Sequence, residues 1–535
     1  MSKGTIVVGI LLFALTLSGC GGSKDNGNDW NPPGQDGGMD GAPDTGVDGA
    51  DADGDADADT DTDADADIDG DADADADSGT DAGADAATDY RWHTFFGSSA
   101  SDQANSLAVD GSGNIYICGD SYASWNGPTG QAPLHAYSGL GDIFVLKLSS
   151  SGEYQWHTFY GSADQDATYH LALDSSANVY VTGSSVATWT GPSGEGPLHG
   201  HNGVVAIFVL KLSSAGAYQW HTFYGSGAGF DGGYSIAVDG SGDVYVTGNN
   251  QSSWTGPSGD SPLHAHSGLG DVFVLKLTVD GDYQWHTFYG ASGSEWGNGI
   301  TTDAVGNIYV TGYSCETWTG PSGEGPLNDY SVCYSIFVLK LSSAGAYQWH
   351  TFYGSEEGRN IVADSSGSVY VTGYSNATWN GDTGQAPIHA FSGFSNIFAL
   401  KLSSAGAYQW HTFYGTTSNH SGHAIALDGS GNVLVVGESD MGWDGPGGES
   451  PIHAFSGGSP DIVVMQLNPS GAYQWHTFYG AMNSDIGRDI ALDGNDNICI
   501  AGESMSTWNG PSGQSPLHAD SGDRDAVVLQ LKNPL

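Results

Sequence analysis

The sequence predicts an all-β protein, a seven-bladed β-propeller, and three observations lead to that prediction. An aromatic segment, Tyr-Gln-Trp-His-Thr-Phe-Tyr-Gly or a close variant, recurs at intervals of 61 to 65 residues. Each interval contains β-branched and aromatic runs separated by glycine-rich turns, the pattern of short strands. About four such strands in each of seven units are typical of a propeller. The aromatic segments begin at Tyr90, Tyr154, Tyr218, Tyr283, Tyr347, Tyr408 and Tyr473.

The second unit shows how the predicted strands follow one another. Residues 171–174 predict a short inner strand, and residues 179–182 predict the strand after it. A long loop rich in Gly and Pro, residues 184–206, leads to a third predicted strand at 207–212. The next aromatic segment is then the outermost strand of the blade.

The two ends of the repeat region predict how the ring closes. The first aromatic segment, residues 90–96, precedes any strand that could pair with it, and the last strand, residues 526–531, has no aromatic segment after it. We therefore expect residues 90–96 to complete the last blade as its outermost strand. Such closure removes open sheet edges, which promote aggregation.

Two short motifs recur through the units. Asp-x-x-Gly-Asn-Ile/Val-Tyr occurs at residues 110–116, and Phe-Val-Leu-Lys-Leu occurs at residues 144–148. With these motifs, residues 90–535 resemble the SBBP-type seven-bladed β-propeller repeat of bacterial surface proteins. The long loop departs from that pattern, because Trp-x-Gly-Pro-x-Gly stands where a Phe-Pro step is expected. The resemblance implies the propeller fold and no shared catalytic residue.

The first 19 residues predict a lipoprotein signal peptide. An apolar run at residues 6–17 is too short for a transmembrane helix. It leads into Leu-Ser-Gly-Cys, which resembles the bacterial lipobox, so we expect a lipid on Cys20. The alternative is an ordinary signal peptide with an incidental cysteine. By resemblance to Gram-negative lipoproteins, Gly21 in place of Asp favours sorting to the outer membrane. We therefore expect an exported lipoprotein, anchored to the membrane through its lipid and displayed at the cell surface.

Residues 20–89 predict a disordered acidic linker, which separates the signal peptide, 1–19, from the propeller, 90–535. From Asp36 to Asp89 the chain holds 21 aspartates and no Lys or Arg, a composition that cannot bury enough apolar surface to fold. Calcium binding by the Asp-x-Asp runs is an alternative, but a turn and a bidentate closing residue are lacking. We therefore expect no cofactor.

The charge of the chain excludes one class of partner. With 12 Lys+Arg against 62 Asp+Glu, the formal net charge is -50. Nucleic-acid binding needs clustered basic residues, so no nucleic-acid partner is expected. We expect a monomer.

Each aromatic segment contains a Trp-His pair. Seven equivalent histidines on a wide outer ring cannot converge on one metal ion. We expect them to pack between blades and to form local hydrogen bonds. These histidines are His93, His157, His221, His286, His350, His411 and His476.

An aspartate recurs at the same turn position in all seven units. Aspartates that precede Gly/Ser/Asn runs are expected to cap tight turns, with a metal site as the alternative. They are Asp110, Asp174, Asp239, Asp303, Asp364, Asp428 and Asp493.

The cysteines of the repeat region fall into two groups. Cys118 and Cys499 lie in predicted strands and are expected to be buried thiols. Cys315 and Cys333 both lie in the long loop of the fourth unit, and in an exported protein such a pair predicts a disulfide.

Each long loop carries one tryptophan on the face where the connections vary most. Loops on a rigid scaffold are common recognition sites, so these tryptophans are candidates for ligand binding. The alternative is that each tryptophan folds its loop onto the blade. They are Trp125, Trp189, Trp254, Trp318, Trp379, Trp443 and Trp508.

The sequence therefore predicts a binding or scaffold module for a surface polysaccharide or protein. A polysaccharide lyase or hydrolase with a site at the central channel is the alternative, and a purely structural surface protein is a third hypothesis. An enzyme needs a convergent acid and base. The least repeat-like polar residues on the variable face are His420, His423, Asp485 and Arg488.

Overall fold

Short strands alternate with turns throughout the computed structural model, which describes residues 89–329 and 334–534. They form seven antiparallel sheets of four strands each. The innermost strands contact one another in order around the ring, and the last of them contacts the first. The all-β, seven-bladed propeller predicted from the sequence is confirmed.

The first strand, β1 (Tyr90–Phe96), stands alone before the first complete blade. Blade 1 is β2 (Asp102–Val109), β3 (Ile115–Ser121), β4 (Asp142–Leu148) and β5 (Tyr154–Tyr160). Blade 2 is β6 (Asp166–Leu173), β7 (Val179–Ser185), β8 (Ala206–Leu212) and β9 (Tyr218–Tyr224). Blade 3 is β10 (Gly232–Val238), β11 (Val244–Asn250), β12 (Asp271–Leu277) and β13 (Tyr283–Tyr289).

The remaining blades repeat this order. Blade 4 is β14 (Glu295–Thr302), β15 (Ile308–Ser314), β16 (Ser335–Leu341) and β17 (Tyr347–Tyr353). Blade 5 is β18 (Glu356–Ala363), β19 (Val369–Ser375), β20 (Asn396–Leu402) and β21 (Tyr408–Tyr414). Blade 6 is β22 (His420–Leu427), β23 (Val433–Ser439), β24 (Asp461–Leu467) and β25 (Tyr473–Tyr479). Blade 7 contains β26 (Asp485–Leu492), β27 (Ile498–Ser504) and β28 (Asp525–Leu531).

Blade 7 is completed by the first strand of the repeat region. Strand β1 pairs antiparallel with β28, from Tyr90 opposite Leu531 to Phe96 opposite Ala526. The sheet order is β1-β28-β27-β26. The predicted ring closure is confirmed.

The hydrophobic core consists of seven clusters, one between each pair of neighbouring blades. In one cluster, Trp156 and Tyr160 of the outer strand β5 pack with Leu171 and Phe208 of blade 2. The two faces of each sheet therefore bury apolar side chains against different neighbours. Cys118 and Cys499 are buried, as predicted. Over residues 89–329 and 334–534, no helix has the length and apolar character needed to cross a bilayer.

The turn aspartates use their carboxylates as predicted. In blade 1, Oδ1 of Asp110 accepts hydrogen bonds from the backbone N–H groups of Ser112 and Asn114, at 2.9 and 3.0 Å. Its Oδ2 accepts from the amide of Asn114 and the hydroxyl of Tyr116. Both oxygens therefore hold the turn and its following strand together, so the turn-capping interpretation is confirmed.

The inner strands are longer than the sequence indicated. The prediction for blade 2 began at residue 171, whereas β6 begins at Asp166. Their first halves are polar and differ between blades, and for that reason they lacked a recognisable strand pattern. Each inner strand also contains a bulge against the second strand, as between Thr168 and His170 of β6. A bulge leaves one residue unpaired and re-aims its side chain.

Substitution of the glycine opposite the corresponding bulge of blade 3, between Gly233 and Ser235, is expected to be strongly destabilising. A methyl group on Gly248 would lie 1.8 Å from the carbonyl oxygen of Gly232. The backbone must shift to relieve this contact, so Gly248→Ala should lower the free energy of unfolding by about 3 kcal/mol. Gly240→Ala in the same blade is the control, because its methyl group meets no atom within 4 Å. Equal unfolding midpoints for the two variants in denaturant titrations would contradict this account of the bulge.

Candidate functional site at the mouth of the central channel

The loop tryptophans, the first ligand-binding candidates, pack onto their own blades and against the outer strand of the preceding blade, as Trp189 does against Tyr160. Six of them are 3–7% exposed, and Trp379 is half-buried. Each indole stacks on the histidine of the outer strand, as Trp125 does on His157 with 4.0 Å between ring centroids. The alternative interpretation, that each tryptophan folds its loop onto the blade, describes this packing. Burial of this degree disfavours the predicted role in ligand binding.

The seven histidines of the aromatic segments form the local hydrogen bonds that were expected. The hydroxyl of Tyr154 lies 2.8 Å from Nδ1 of His157, and Nε2 of His157 lies 3.1 Å from the carbonyl oxygen of Trp125. The carbonyl can only accept, so Nε2 carries the proton and Nδ1 accepts from the tyrosine. Burial lowers the pKa of His157 to about 4, which keeps the ring neutral. The ring stacks on Trp125 of its own blade and meets Phe159 edge-on, and both of these residues belong to the hydrophobic cluster between blades 7 and 1. Direct packing of the histidines against the neighbouring blade stays a prediction.

The four least repeat-like polar residues separate into two pairs. His420 and Asp485 are the first residues of β22 and β26 and are buried where neighbouring blades meet. His420 bonds Ser439 and Thr416 through its two ring nitrogens. His423 and Arg488 instead occupy the bulges of the same two strands.

The bulge residues of the inner strands are of four types, Asn, Tyr, Arg and His. Together with the residue that follows the second-strand glycine, they form what we name the channel-mouth ring. Its bulge residues are Asn105, Tyr169, Tyr234, Asn298, Arg359, His423 and Arg488. Its second-strand residues are Asp120, Ser184, Asn249, Tyr313, Tyr374, Glu438 and Glu503.

Contacts within the channel-mouth ring run from blade to blade. The amide of Asn105 donates to Asp120 of its own blade at 3.0 Å and to the carbonyl of Thr168 in the next blade at 2.7 Å. The amide of Asn298 donates to the carbonyl of Gly358 in the next blade at 3.1 Å. These two hydrogen bonds join blade 1 to blade 2 and blade 4 to blade 5.

One part of the channel-mouth ring is aromatic. The rings of Tyr169 and Tyr234 are 4.9 Å apart in an edge-to-face arrangement. Trp296, two residues before the bulge residue of β14, is added here to the channel-mouth ring because it stacks on Tyr234 at 5.4 Å and on Tyr313 at 5.9 Å. These four half-buried side chains, from blades 2, 3 and 4, form a continuous aromatic arc. The guanidinium of Arg359 lies 4.9 Å from the ring of Tyr374 and continues the arc into blade 5.

The other part of the channel-mouth ring is charged. Nη1 of Arg359 lies 3.0 Å from Nε2 of His423, and Oε1 of Glu438 lies 3.4 Å from the same nitrogen. Arg488 pairs with Glu503 at 2.9 Å, and Arg524 approaches the other carboxylate oxygen of Glu503 at 3.3 Å. Blades 5, 6 and 7 therefore present alternating cations and anions opposite the aromatic arc.

Burial and neighbouring charges separate the pKa values of these groups. Burial lowers the pKa of His423 to about 4, and the positive charge of Arg359 adds to that effect. Burial opposes ionisation of Glu438, but His423, Arg359 and Arg488 outweigh it and lower the Glu438 pKa to about 2. Burial raises the pKa of Asp120 to about 7, against hydrogen bonds from Thr168, Gln103 and Asn105. The channel-mouth ring thus combines a neutral imidazole, a fixed carboxylate and a carboxyl that can exchange its proton near neutral pH.

An open groove of about 430 Å³ lies elsewhere, between the long loops of blades 2 and 3. Its lining includes His199, Asn202, Trp254 and Pro257. His199 and Trp254 have counterparts in most blades, and His199 is held by the carbonyl of Phe223 at 2.6 Å. The groove is therefore part of the repeated framework, whereas the channel-mouth ring is where the blades differ.

A signal for the channel-mouth ring was present in the sequence. When the units are aligned on Thr-Gly or its equivalent, the residue after glycine changes from Asp to Ser, Asn, Tyr and Glu while its neighbours stay nearly constant. Sequence reasoning placed His423 and Arg488 on the variable face but missed Asp120, Trp296 and Glu438. The predicted pairing of Cys315 with Cys333 stays a prediction, because Cys333 lies outside the described residues, as does Cys20.

Comparison with known proteins agrees with the repeat architecture. The family model described as SBBP, beta-propeller repeat, matches residues 91–124 and 284–315. The chain is 26% identical over 409 residues to the regulatory protein FlaEY of Caulobacter vibrioides, covering 71% of this chain and 40% of that protein. It is 25% identical over 368 residues to the uncharacterized WD repeat-containing protein L264 of Acanthamoeba polyphaga mimivirus, covering 56% of this chain and 26% of that protein. The chain thus spans less than half the length of either relative.

Two solved structures with similarity to this chain share little sequence with it. The WD40 domain of Pan2 from Neurospora crassa is 9% identical, with a TM-score of 0.38, over 81% of this chain and 90% of that one. A protein of unknown function from Bacteroides caccae is 12% identical, with a TM-score of 0.29, over 62% of this chain and 97% of that one. The seven four-stranded sheets define the class of this protein, a β-propeller. Within that class, the two matched segments carry the SBBP repeat.

Proposed function

We propose that this chain is a saccharide-binding module whose ligand site is the channel-mouth ring. The observation that carries the proposal is that the residues distinguishing one blade from another converge there, as an aromatic arc facing a charged arc. Aromatic faces pack against the apolar faces of sugar rings, and carboxylates, amides and guanidinium groups bond to their hydroxyls. A surface protein as the ligand, presenting a polar loop to the channel, is the other form of the same proposal.

Loss of the central aromatic side chain tests this site. Trp296 is stacked between Tyr234 and Tyr313, so Trp296→Ala removes the middle of the arc. We expect a loss of saccharide affinity of about tenfold or more, equivalent to about 1.4 kcal/mol. Ligands would first be identified with the full chain on a glycan array and affinities measured by calorimetry.

The matched control for Trp296→Ala is Phe394→Ala, which removes an exposed aromatic side chain of the blade 5 loop that is not part of the channel-mouth ring. The control should bind like the wild type. Equal losses in the two variants, or no loss in Trp296→Ala, would remove the channel-mouth ring as the site. A protein ligand would give no signal on the array but the same ranking of variants in a pull-down with the partner.

A further part of the proposal concerns where the protein lies in the cell. We propose that a lipid on Cys20 anchors the chain in the outer membrane and that the acidic linker holds the propeller away from the cell surface. The lipobox-like residues and the Asp-rich segment support it. Cys20→Ala should lose metabolic labelling with a radioactive fatty acid, while added protease should cleave the wild type on intact cells. Unchanged labelling in Cys20→Ala would refute the anchor.

A second candidate function has one specific observation in its favour. Asp120 and Glu438 are carboxyl groups of one ring whose pKa values lie near 7 and near 2, and such divergence is typical of acid and base pairs in polysaccharide-active enzymes. Chromogenic glycosides and uronate polymers would reveal hydrolysis or elimination. Turnover that Glu438→Gln abolishes would favour the enzyme, and retention of ligand without turnover would favour the binding module.

A further inference from the structure

Neighbouring blades meet at a repeated position that we name the blade junction. It contains the first residue of a third strand and the first residue of the next blade's inner strand. At four of the seven junctions both residues are carboxylic acids. These pairs are Asp525 with Asp102, Asp142 with Asp166, Asp271 with Glu295, and Asp461 with Asp485.

The two carboxylates of a pair face each other above a glycine. A methyl group on Gly97 would lie 2.4 Å from Oδ1 of Asp525 and 2.9 Å from Oδ2 of Asp102. A methyl group on Gly161 would lie 2.7 Å from Oδ1 of Asp142 and 2.9 Å from Oδ2 of Asp166. The pair above Gly290, Asp271 and Glu295, has the same arrangement, with distances of 2.7 and 2.5 Å. Because the glycine has no side chain, one oxygen of each carboxylate borders the same small space beside it.

In three of these pairs one buried oxygen has no hydrogen-bond partner in the described part of the chain. It is Oδ1 of Asp142, of Asp271 and of Asp525, and the three residues are 0% exposed. The other oxygen of each is satisfied, as Oδ2 of Asp142 is by the backbone N–H and hydroxyl of Ser138. In the fourth pair, Oδ1 of Asp461 accepts from the hydroxyl of Ser456, so that junction lacks the unpartnered oxygen.

Positive charge is scarce around these pairs. Among the ion pairs of residues 89–329 and 334–534, one reaches them, with Nε2 of His266 at 4.0 Å from Oδ1 of Asp271. Two buried anions without a cation are costly, so the pair must hold either a proton or a metal ion. Burial accordingly raises the pKa of Glu295 and of Asp525 to about 7.

Backbone carbonyls add further oxygens at the blade 1–2 junction. A methyl group on Gly139 would lie 2.5 Å from the carbonyl oxygen of Ser162, 2.8 Å from that of Asp164 and 2.9 Å from Oδ1 of Asp142. At this junction the oxygens that lie close together are therefore carboxylates and backbone carbonyls. Calcium prefers such oxygen ligands and accepts irregular geometry.

We propose that the three blade junctions with an unpartnered carboxylate oxygen bind divalent cations of the calcium class. They are Asp525/Asp102, Asp142/Asp166 and Asp271/Glu295. Each ion bridges two blades, so occupancy fastens neighbouring sheets to each other. The ligands come from strand ends and turns, and they belong neither to the Asp-rich linker nor to the turn aspartates.

Calcium titration of the full chain tests this proposal. After treatment with chelator, CaCl₂ at constant ionic strength should raise the unfolding temperature, and EGTA should reverse the rise. The triple variant Asp142→Asn, Asp271→Asn, Asp525→Asn should lose this shift. Asp231→Asn is the matched control. Asp231 directly precedes β10 and is buried like the junction carboxylates, but the third strand at that junction begins with Ala206 in place of a carboxylic acid. This variant should keep the shift.

A separate measurement guards against a triple variant that fails to fold. Asp142→Asn and Asp525→Asn, made singly, should each lower the calcium stoichiometry of the full chain by one relative to Asp231→Asn in calorimetry. Comparison between variants cancels diffuse binding by the acidic linker, which all of them share. Equal calcium stoichiometry in all variants would overturn the proposal. It would also be overturned if the unfolding temperature of the wild type did not change with CaCl₂ while the asparagine variants unfolded at a higher temperature, because the pairs would then hold protons.

Discussion

Deletion of residues 90–96 is expected to abolish cooperative folding of the propeller. Strand β1 buries Tyr90, Trp92, Phe95 and Phe96, which are 1–9% exposed. Burial of a large apolar side chain contributes about 1.5–3 kcal/mol. The loss of all four therefore approaches the free energy of unfolding of a typical domain, which is about 5–15 kcal/mol. Deletion also exposes the edge of β28, which promotes association between chains.

The measurement for this deletion is thermal unfolding followed by circular dichroism, together with the oligomeric state from light scattering. We expect a broad transition at much lower temperature and soluble aggregates. Arg91→Ala is the control within the same strand, because the Arg91 side chain is exposed. Its unfolding temperature should stay close to that of the wild type.

A variant in which residues 90–96 are moved to the end of the propeller tests specifically whether this strand acts by closing the ring. In the other blades, the third strand reaches the outer strand through a turn such as Ser-Ser-Ala-Gly-Ala at residues 213–217. Placing residues 90–96 after Leu531 through that turn should restore cooperative unfolding. A deleted chain that unfolds like the wild type, or a permuted chain that remains unstable, would contradict the role of β1 as the closing strand.

Replacement of a buried histidine should give a stability difference that depends on pH. His221 is 0% exposed, and burial lowers its pKa from 6.5 to about 4. Between these two values the unfolded chain binds a proton that the folded chain does not bind. The neutral ring therefore contributes its full stability above about pH 6.5, and this contribution is lost as the pH falls toward 4.

The variant that measures this effect is His221→Gln. At pH 7.5 it should be less stable than the wild type by about 3 kcal/mol, because the hydroxyl of Tyr218 loses its acceptor and Trp189 loses its stacking partner. Linkage predicts that this difference shrinks by roughly 2–3 kcal/mol at pH 4.5. Urea unfolding at both pH values gives the difference directly.

The control for this pH effect lies in the same strand. Gln219 is exposed and does not titrate, so Gln219→Ala should differ from the wild type by the same amount at both pH values. The buried carboxyl groups with raised pKa values titrate in the same range with the opposite sign. They are common to all three proteins and cancel in the comparison. A His221→Gln difference that stays constant with pH would show that the ring is not held neutral.

The sequence by itself determined the repeat, the strand order and the closure of the ring. These features follow from local patterns, such as aromatic runs, Asp-Gly turns and an unpaired strand at each end, which appear as consecutive residues. The turn aspartates were predicted for the same reason, since Asp110 bonds to residues 112–116, its immediate neighbours.

Only the tertiary structure decided which residues meet. Arg359 and His423 are 64 residues apart in the chain and 3.0 Å apart in the channel-mouth ring, and Asp525 and Asp102 meet because the ring closes. The tertiary structure also determines the burial of the loop tryptophans, because each indole fits between a histidine of its own blade and the neighbouring blade, as Trp189 does between His221 and Tyr160. Contacts of this kind depend on how blades stack, and the spacing of residues within one unit contains no information about the side chains that the next unit places beside them.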